Sequence, residues 1–404
     1  MSACILAHDL GTSGDKASLF GEDGKLIESV TEEYPTYYPQ AGWAEQNPDD
    51  WWRAVCAATR RILERADKKK IVAVAVTGQM MGTVPIAHDG ELLGNSIIWS
   101  DARAVKECKE LEARLGRKNY CRITGQPPSA AYTLPKIMWL KKNRLELYQR
   151  SVKFIQSKDF ITYKLTGNIA TDYTDAAYTT AFDIQKGNWS EEIISAAEIQ
   201  MSKMPVVLKS DAILGTVSHE ASRECGLMEG TPVAAGAGDG SAAHLGAACT
   251  EKGDAYLCLG SSTWLAAQTD RLIFDEQERM QSEPHVIPDQ FCFLGTMQTG
   301  GLAYSWGRQN MSDELLEYEK LEALIQDSPV GAGGVLFLPY LMGERSPWYD
   351  LDARGAFLGL RMQTKYGDFY RAIMEGVAMN LNILLKVIKQ KVDISPIVVI
   401  GGGG

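Results

Sequence analysis

No CxxC pair and no HExxH string occurs in this sequence, so zinc binding and dithiol redox chemistry lack their usual ligand spacing. A GxxxxGK(S/T) loop is also missing, which excludes the P-loop way of holding phosphate. No apolar run approaches the ~18 residues of a bilayer-spanning helix. The N-terminus has no basic segment followed by an apolar core, so no signal peptide is expected. Positive charge is in deficit, 41 lysines and arginines against 51 acids for a net charge of −10. Nucleic-acid binding draws on clustered basic charge, and the one basic run, Lys68 to Lys70, reads as a solvated turn. The eight cysteines are scattered and are expected to be reduced, mostly buried thiols. These absences predict a soluble, cytoplasmic protein with no nucleic-acid or membrane partner.

What is present is a chain of 404 residues, 45% hydrophobic and 23% charged, which is long enough for two or three domains. It opens with Ala3 to His8 as a strand, Asp9 to Gly14 as a glycine-bearing turn and Lys16 to Phe20 as a second strand. Asp23-Gly24 signals a hairpin back through Leu26 to Val30. A helix follows, with Asn47 as N-cap, Pro48 in the first turn and acids at 49 and 50. Trp51, Trp52, Val55, Thr59, Ile62 and Leu63 recur on its buried face. Ile71 to Val76 reads as a buried parallel strand, and strands alternating with helices indicate an α/β fold. The middle, 101–201, reads as helices and loops. A second α/β region is expected from Thr231, with a strand at Pro232 to Ala235, a glycine turn to Gly240 and a helix from Ser241 to Ala248.

Residues 5–14, ILAHDLGTSG, and 255–263, AYLCLGSST, share a pattern of apolar strand, Leu-Gly-(Thr/Ser)-Ser and second strand. Such a repeat points to a duplicated fold, with domains at 1–247 and 248–404. Ile397 to Ile400 reads as a final strand. Gly401 to Gly404 resembles a phosphate loop with no helix behind it, so truncation within the second domain is expected.

Several turns carry candidate chemistry. In Asp9-Leu10-Gly11-Thr12-Ser13-Gly14, glycine amides and two hydroxyls suit phosphate oxygens, and Asp9 suits Mg²⁺. A plain hairpin turn accounts for it equally well. Gly236 to Gly240 follows a strand and opens a helix as a dinucleotide fingerprint does, but its sixth position is Ser241. Alternatively, Asp239 is a carboxylate at a strand end that accepts the proton of a sugar hydroxyl attacking phosphorus. Gln79, Met80 and Met81 follow one strand. Trp99, Asp101 and Arg103 follow another, the Trp offering a flat face and the charged pair bonding hydroxyls or each other.

Taken in order, DLGTSG, GQM, WSDAR, LPKIMWL at 134–140, SKDF at 157–160, GAGDG, LGSS, GERSP at 343–347 and Gly355 to Glu375 resemble the FGGY family of carbohydrate kinases, most closely its xylulokinase branch. The resemblance implies two actin-like (ribonuclease H-like) α/β domains with an active site in a cleft between them. It implies ATP and Mg²⁺ as cofactors and a small sugar, first D-xylulose, as phosphoryl acceptor, and it allows a homodimer. By position it makes Asp239 the general base and Asp9 the acid near the metal. Thr12 and Ser13 fall near the transferred phosphate, with Gly11 in the same loop, and Met80 and Met81 fall in the sugar pocket. Gly260 and Ser261 fall in a second phosphate loop, with Gly300, Gly301, Gly401, Gly402 and Gly403 on the nucleotide side. Met81 replaces the histidine of xylulokinases and Gly240 their asparagine, each removing a hydrogen-bonding group. Other ketoses, polyols and sugar acids are alternative substrates. An NAD-dependent oxidoreductase and a silent actin-like module are the readings from other classes.

Overall fold

A computed structural model describes residues 3–88, 90–312, 315–350 and 352–401. The chain divides into two units, Met1–Ala243 with Glu283–Asp289, and His244–Ser282 with Gln290–Gly404. In the first unit β1 (Cys4–Leu10) pairs antiparallel with β2 (Gly14–Gly21), and β2 with β3 (Leu26–Glu33). Alternation in β1 sends Leu6 and Leu10 into the core, as period-2 side chains must. The expected helix is α1 (Pro48–Leu63), whose Asn47 Oδ1 accepts from Asp49 N at 3.0 Å. Trp51, Val55 and Ile62 are buried in one cluster with Leu6, Leu10 and Leu19. Each such side chain contributes about 1.5–3 kcal/mol of hydrophobic stabilisation. The helix leads into β4 (Ile71–Gly78), parallel to β1 on the side away from β2. β4 is not buried on both faces as its sequence suggests, because Val72 is half-exposed.

The middle of this unit contributes three helices to the surroundings of the site: α2 (Thr133–Asn143), α3 (Ser157–Thr166) and α4 (Tyr173–Tyr178). The second α/β region expected from Thr231 does not start there. Instead, β5 (Ile213–Thr216) and β6 (Pro232–Ala234) extend the first sheet, with Val233 paired parallel to Val74 of β4. The strand expected at Pro232 to Ala235 is present, but its partner lies some 160 residues back, a pairing that no local pattern shows. Next, β7 (Ala237–Gly238) pairs parallel with Thr77 and Gly78 at the end of β4. The following helix, α5 (Asp239–Gly246), begins two residues earlier than expected, with Asp239 in its first turn.

The second unit repeats the plan of the first. β8 (Ala255–Leu259) and β9 (Thr263–Thr269) form the antiparallel hairpin, and β10 (Phe291–Met297) lies outside β9. The helices α6 (Gly301–Asn310) and α7 (Tyr366–Lys391) precede β11 (Ile397–Ile400), which runs parallel to β8. The order β10-β9-β8-β11 matches β3-β2-β1-β4, so the repeated Leu-Gly-(Thr/Ser)-Ser strings occupy equivalent turns. All eight cysteines are free, six of them buried. Among the described residues no helix is long and apolar enough to cross a membrane.

Candidate active site

The turn after β1 is held from below. Gly11 N donates to Asp9 O and Gly14 O, and Tyr34 Oη donates to Gly11 O. A Cβ at Gly14 would stand 2.6 Å from Glu32 O, so only glycine fits there. Thr12 and Ser13 are left exposed, their hydroxyls on the surface. Gln46, a residue without a sequence signal, organises this turn. Its Nε2 donates to Thr12 O (2.7 Å), and its Oε1 accepts from Trp51 Nε1 (3.0 Å) and Gln79 Nε2 (2.6 Å). Among the described residues, Gln79 Oε1 is buried with no hydrogen-bond partner. Trp99 is half-buried and donates from Nε1 to Thr12 Oγ1 at 3.0 Å.

Two carboxylates feel each other here. Asp9, facing Lys16 across the hairpin, has its pKa raised by burial and then by Asp15, with Lys16 opposing. Asp239 stands at the C-terminal end of the sheet because β7 follows β4 to its last residue. Its Oδ1 accepts from Gly240 N at 2.7 Å. Removal from bulk water and then the charge of Asp9 push its pKa up to about 7. The residue nevertheless remains exposed to solvent. Such a group accepts a proton at neutral pH more readily than an ordinary aspartate does.

Met80 packs beneath this turn in a buried cluster with Tyr132 and Tyr178. A Cβ at Gly238 would lie 2.3 Å from Met80 Cε. Met81 adopts φ 68° and is partly buried against the same cluster, and left-handed backbone at a non-glycine residue often marks a functional loop. Glu283, missed in the sequence, accepts a hydrogen bond from Tyr178 Oη and faces Ser241 Oγ at 3.4 Å. Its burial pushes its pKa up to about 7 against those two bonds, with Asp239 adding to the rise.

The charged pair at the next strand end is turned inward. Asp101 accepts from Arg103 Nε, Arg103 Nη2 and Ala44 N, and Arg103 also bonds Glu45 and covers the Trp43 ring at 3.7 Å. Lys136, in the LPKIMWL string, donates to Met81 O (2.9 Å), Ile98 O (2.8 Å) and Ala131 O (2.6 Å). Burial pushes its pKa down to about 7, while three carbonyls match the three donors of its ammonium form. One side chain thus ties together the segments that carry Met81, Trp99 and Tyr132. The glycine turn before Asp239 does not expose its amides as a dinucleotide loop does. Gly236 N donates to Ser210 O and Gly238 N to Thr174 Oγ1.

In the second unit Ser261 is exposed at the turn after β8. The amides of Gly300 and Gly301 are both taken up by that turn. Gly300 N donates to Ser261 O and Gly301 N to Gly260 O, each at 2.8 Å. A Cβ at Gly300 would fall 1.9 Å from Thr263 Oγ1. Glu344 of the GERSP string, whose burial pushes its pKa up to about 7, accepts from Gln298 N, Arg345 N and Asn380 Nδ2. It thereby anchors the strand end just before Gly300. Gly401 has φ 101° and packs against Leu259 O. Gly402 and Gly403 lie outside the described residues.

The N-terminal and C-terminal domain models of the FGGY family of carbohydrate kinases match residues 4–246 and 255–404. The xylulose kinase of Staphylococcus xylosus is 30% identical over 405 residues, covering 99% of this chain and 83% of that protein. The crystal structure of gluconate kinase from Lactobacillus acidophilus superposes with a TM-score of 0.94 at 28% identity, covering 100% of this chain and 82% of that one. That of ligand-bound xylulose kinase from the same organism gives 0.93 at 28%, covering 99% and 81%.

Proposed function

The chain belongs to the FGGY family of carbohydrate kinases, and from that premise we propose that it transfers the γ-phosphoryl group of ATP to a primary hydroxyl of a small sugar, with Asp239 as general base. The observation that carries this reading is Asp239 itself. It is a solvent-reachable carboxyl at the strand end, on the first turn of α5, with its pKa raised by its surroundings and by Asp9. Held there, it takes the proton of the attacking hydroxyl while Thr12 and Ser13 offer hydroxyls to the phosphate. Asp9, its pKa raised by burial and by the neighbouring Asp15 with Lys16 opposing, is an acidic oxygen donor that fits Mg²⁺. Bound there, Mg²⁺ supplies charge neutralisation of the phosphates. A silent actin-like module would have no use for two carboxyls whose pKa values are both raised.

D-Xylulose is the first candidate among sugars. A sugar acid calls for a cation, and Arg103, Lys136 and Lys158 in the interior of the first unit all have partners within the protein. That favours a neutral ketose over gluconate. Coupled ADP-release assays across D-xylulose, other ketoses, polyols and gluconate test it. The highest kcat/KM is expected for D-xylulose, and a highest value for gluconate would assign the chain to sugar acids. In the same panel Met81→His is expected to raise the D-xylulose preference about tenfold or more, because a gained hydrogen-bonding group changes discrimination strongly. Unchanged ratios would remove Met81 from the pocket.

The pH dependence follows from the raised carboxyl. A base must be ionised, so kcat/KM falls as pH drops through its pKa. The acid limb is expected above the ~4 of an ordinary aspartate and no higher than about 7. In Asp9→Asn, which removes the like charge, the limb should move to lower pH. A limb that stays in place would separate Asp9 from Asp239 electrostatically.

A further inference from the structure

We propose that Thr174 is a positioning residue for this phosphoryl transfer: its hydroxyl, fixed by Asp172 and through it by Lys158, holds the Gly238 amide and so aims Asp239. The inference rests on Asp239 being the base.

The base sits one residue beyond a two-residue strand, so what fixes Gly238 fixes the start of α5. Gly238 N donates to Thr174 Oγ1 at 2.9 Å. On the other side the space of a Gly238 Cβ is already filled by the Met80 thioether. The amide therefore sits between a hydrogen bond and a packed side chain. The Thr174 hydroxyl has one proton, and Asp172 Oδ2 stands 2.7 Å away. A carboxylate only accepts, so the hydroxyl donates to Asp172 and keeps a lone pair for Gly238.

Asp172 is itself immobilised. Its Oδ2 also accepts from Thr174 N (3.0 Å) and Ser210 Oγ (2.6 Å), and its Oδ1 faces Lys158 Nζ at 3.0 Å. Lys158 Nζ further contacts Asp159 Oδ1 (2.6 Å) and Asp175 Oδ2 (3.2 Å). All four of these charged side chains are at most 1% exposed. The adjacent Ser157 Oγ donates to Gln79 O at 2.7 Å. The first residues of α3 thus hold the Gln79 loop directly and the Asp239 loop through Asp172 and Thr174. Capping of α4 does not explain this arrangement. Asp172 already caps that helix through the amides of Thr174 and Asp175, and capping makes no demand on the Thr174 hydroxyl.

The test compares Thr174→Val with Thr174→Ser in the full chain, with Asp239→Asn as a parallel arm. Valine keeps the shape and removes the hydroxyl, so kcat is expected to fall about 10- to 100-fold, the scale of a misplaced group. KM for ATP should stay within about twofold. Serine restores the hydroxyl and should return kcat to within about threefold of wild type. Independently of activity, hydrogen exchange at the Gly238 and Asp239 amides should quicken about tenfold in the valine variant, while β1 is unaffected. A structural role alone would lower stability without this split between kcat and KM and without rescue by serine. If the valine variant fails to fold, Ser210→Ala, which removes one donor from Asp172, is expected to lower kcat about threefold or more. Wild-type kcat and wild-type exchange in Thr174→Val, or a serine variant as impaired as the valine one, would overturn the proposal. Full activity in Asp239→Asn would overturn the assignment of the base, and this inference with it.

Discussion

Asp239→Asn is expected to lower kcat by about 10²–10⁴, the usual contribution of a positioned general base. Asparagine is nearly isosteric and its Oδ1 can still accept from Gly240 N, the bond that orients the native carboxyl at 2.7 Å. What disappears is basicity, so the attacking hydroxyl has no partner for its proton. In energy the loss corresponds to about 3–5.5 kcal/mol of transition-state stabilisation. ATP binding should survive, because Thr12 and Ser13, whose hydroxyls are proposed to meet the phosphate, are untouched. Single-turnover rates with calorimetric titration of ATP separate the two effects. More than about a tenth of wild-type kcat would contradict the assignment.

Lys158→Met is expected to produce the largest loss of stability, about 3–5 kcal/mol, as when one partner of a buried ion cluster is removed. Lys158 is encircled by Asp159, Asp172 and Asp175, all buried. Burial alone would depress the lysine's pKa, but the three carboxylates outweigh it and raise the pKa well above its ordinary value. Asp175 shows the reverse balance, raised by burial although Lys158 pulls it down. Without the lysine, the pull that lowers Asp175 is gone, and its folded-state pKa, already raised by burial, would rise further. Carboxyls shifted in that direction destabilise the fold at pH above the unfolded value, and the penalty fades as pH falls and they take up protons. The deficit of the variant should therefore shrink from pH 7 toward pH 5 in urea denaturation. A deficit independent of pH would mean that lost packing, not unpaired charge, is responsible.

Much of the fold was legible from local pattern. Asn47-Pro48 and the apolar spacing through Ile62 define α1, the 4–30 meander follows from alternation and turn residues, and the repeated Leu-Gly-(Thr/Ser)-Ser strings marked the duplicated plan. The pairing of strand and helix partners far apart in sequence was not legible. Val233 meets Val74, Tyr178 meets Glu283, and Lys136 holds Met81 and Ile98. Each is a chemically ordinary residue until the fold brings its partner. The same holds for Gly300 and Gly301, whose sequence reads as a ligand loop while their amides bind the neighbouring turn. Asp101 and Arg103 could be read either as sugar ligands or as a pair, and the structure pairs them. Gln46 lacked any motif, yet it joins the Thr12 turn to Gln79.

The central claim, sugar phosphorylation with Asp239 as base, is tested most directly by proton-coupled ³¹P NMR of the wild-type chain with ATP, Mg²⁺ and D-xylulose, beside Asp239→Asn. The account predicts a new phosphomonoester signal split into a triplet by the two protons of a primary carbon, appearing with ADP in the wild type and nearly absent in the variant. ADP appearing only with inorganic phosphate, or the same triplet at equal rates in both proteins, would contradict it.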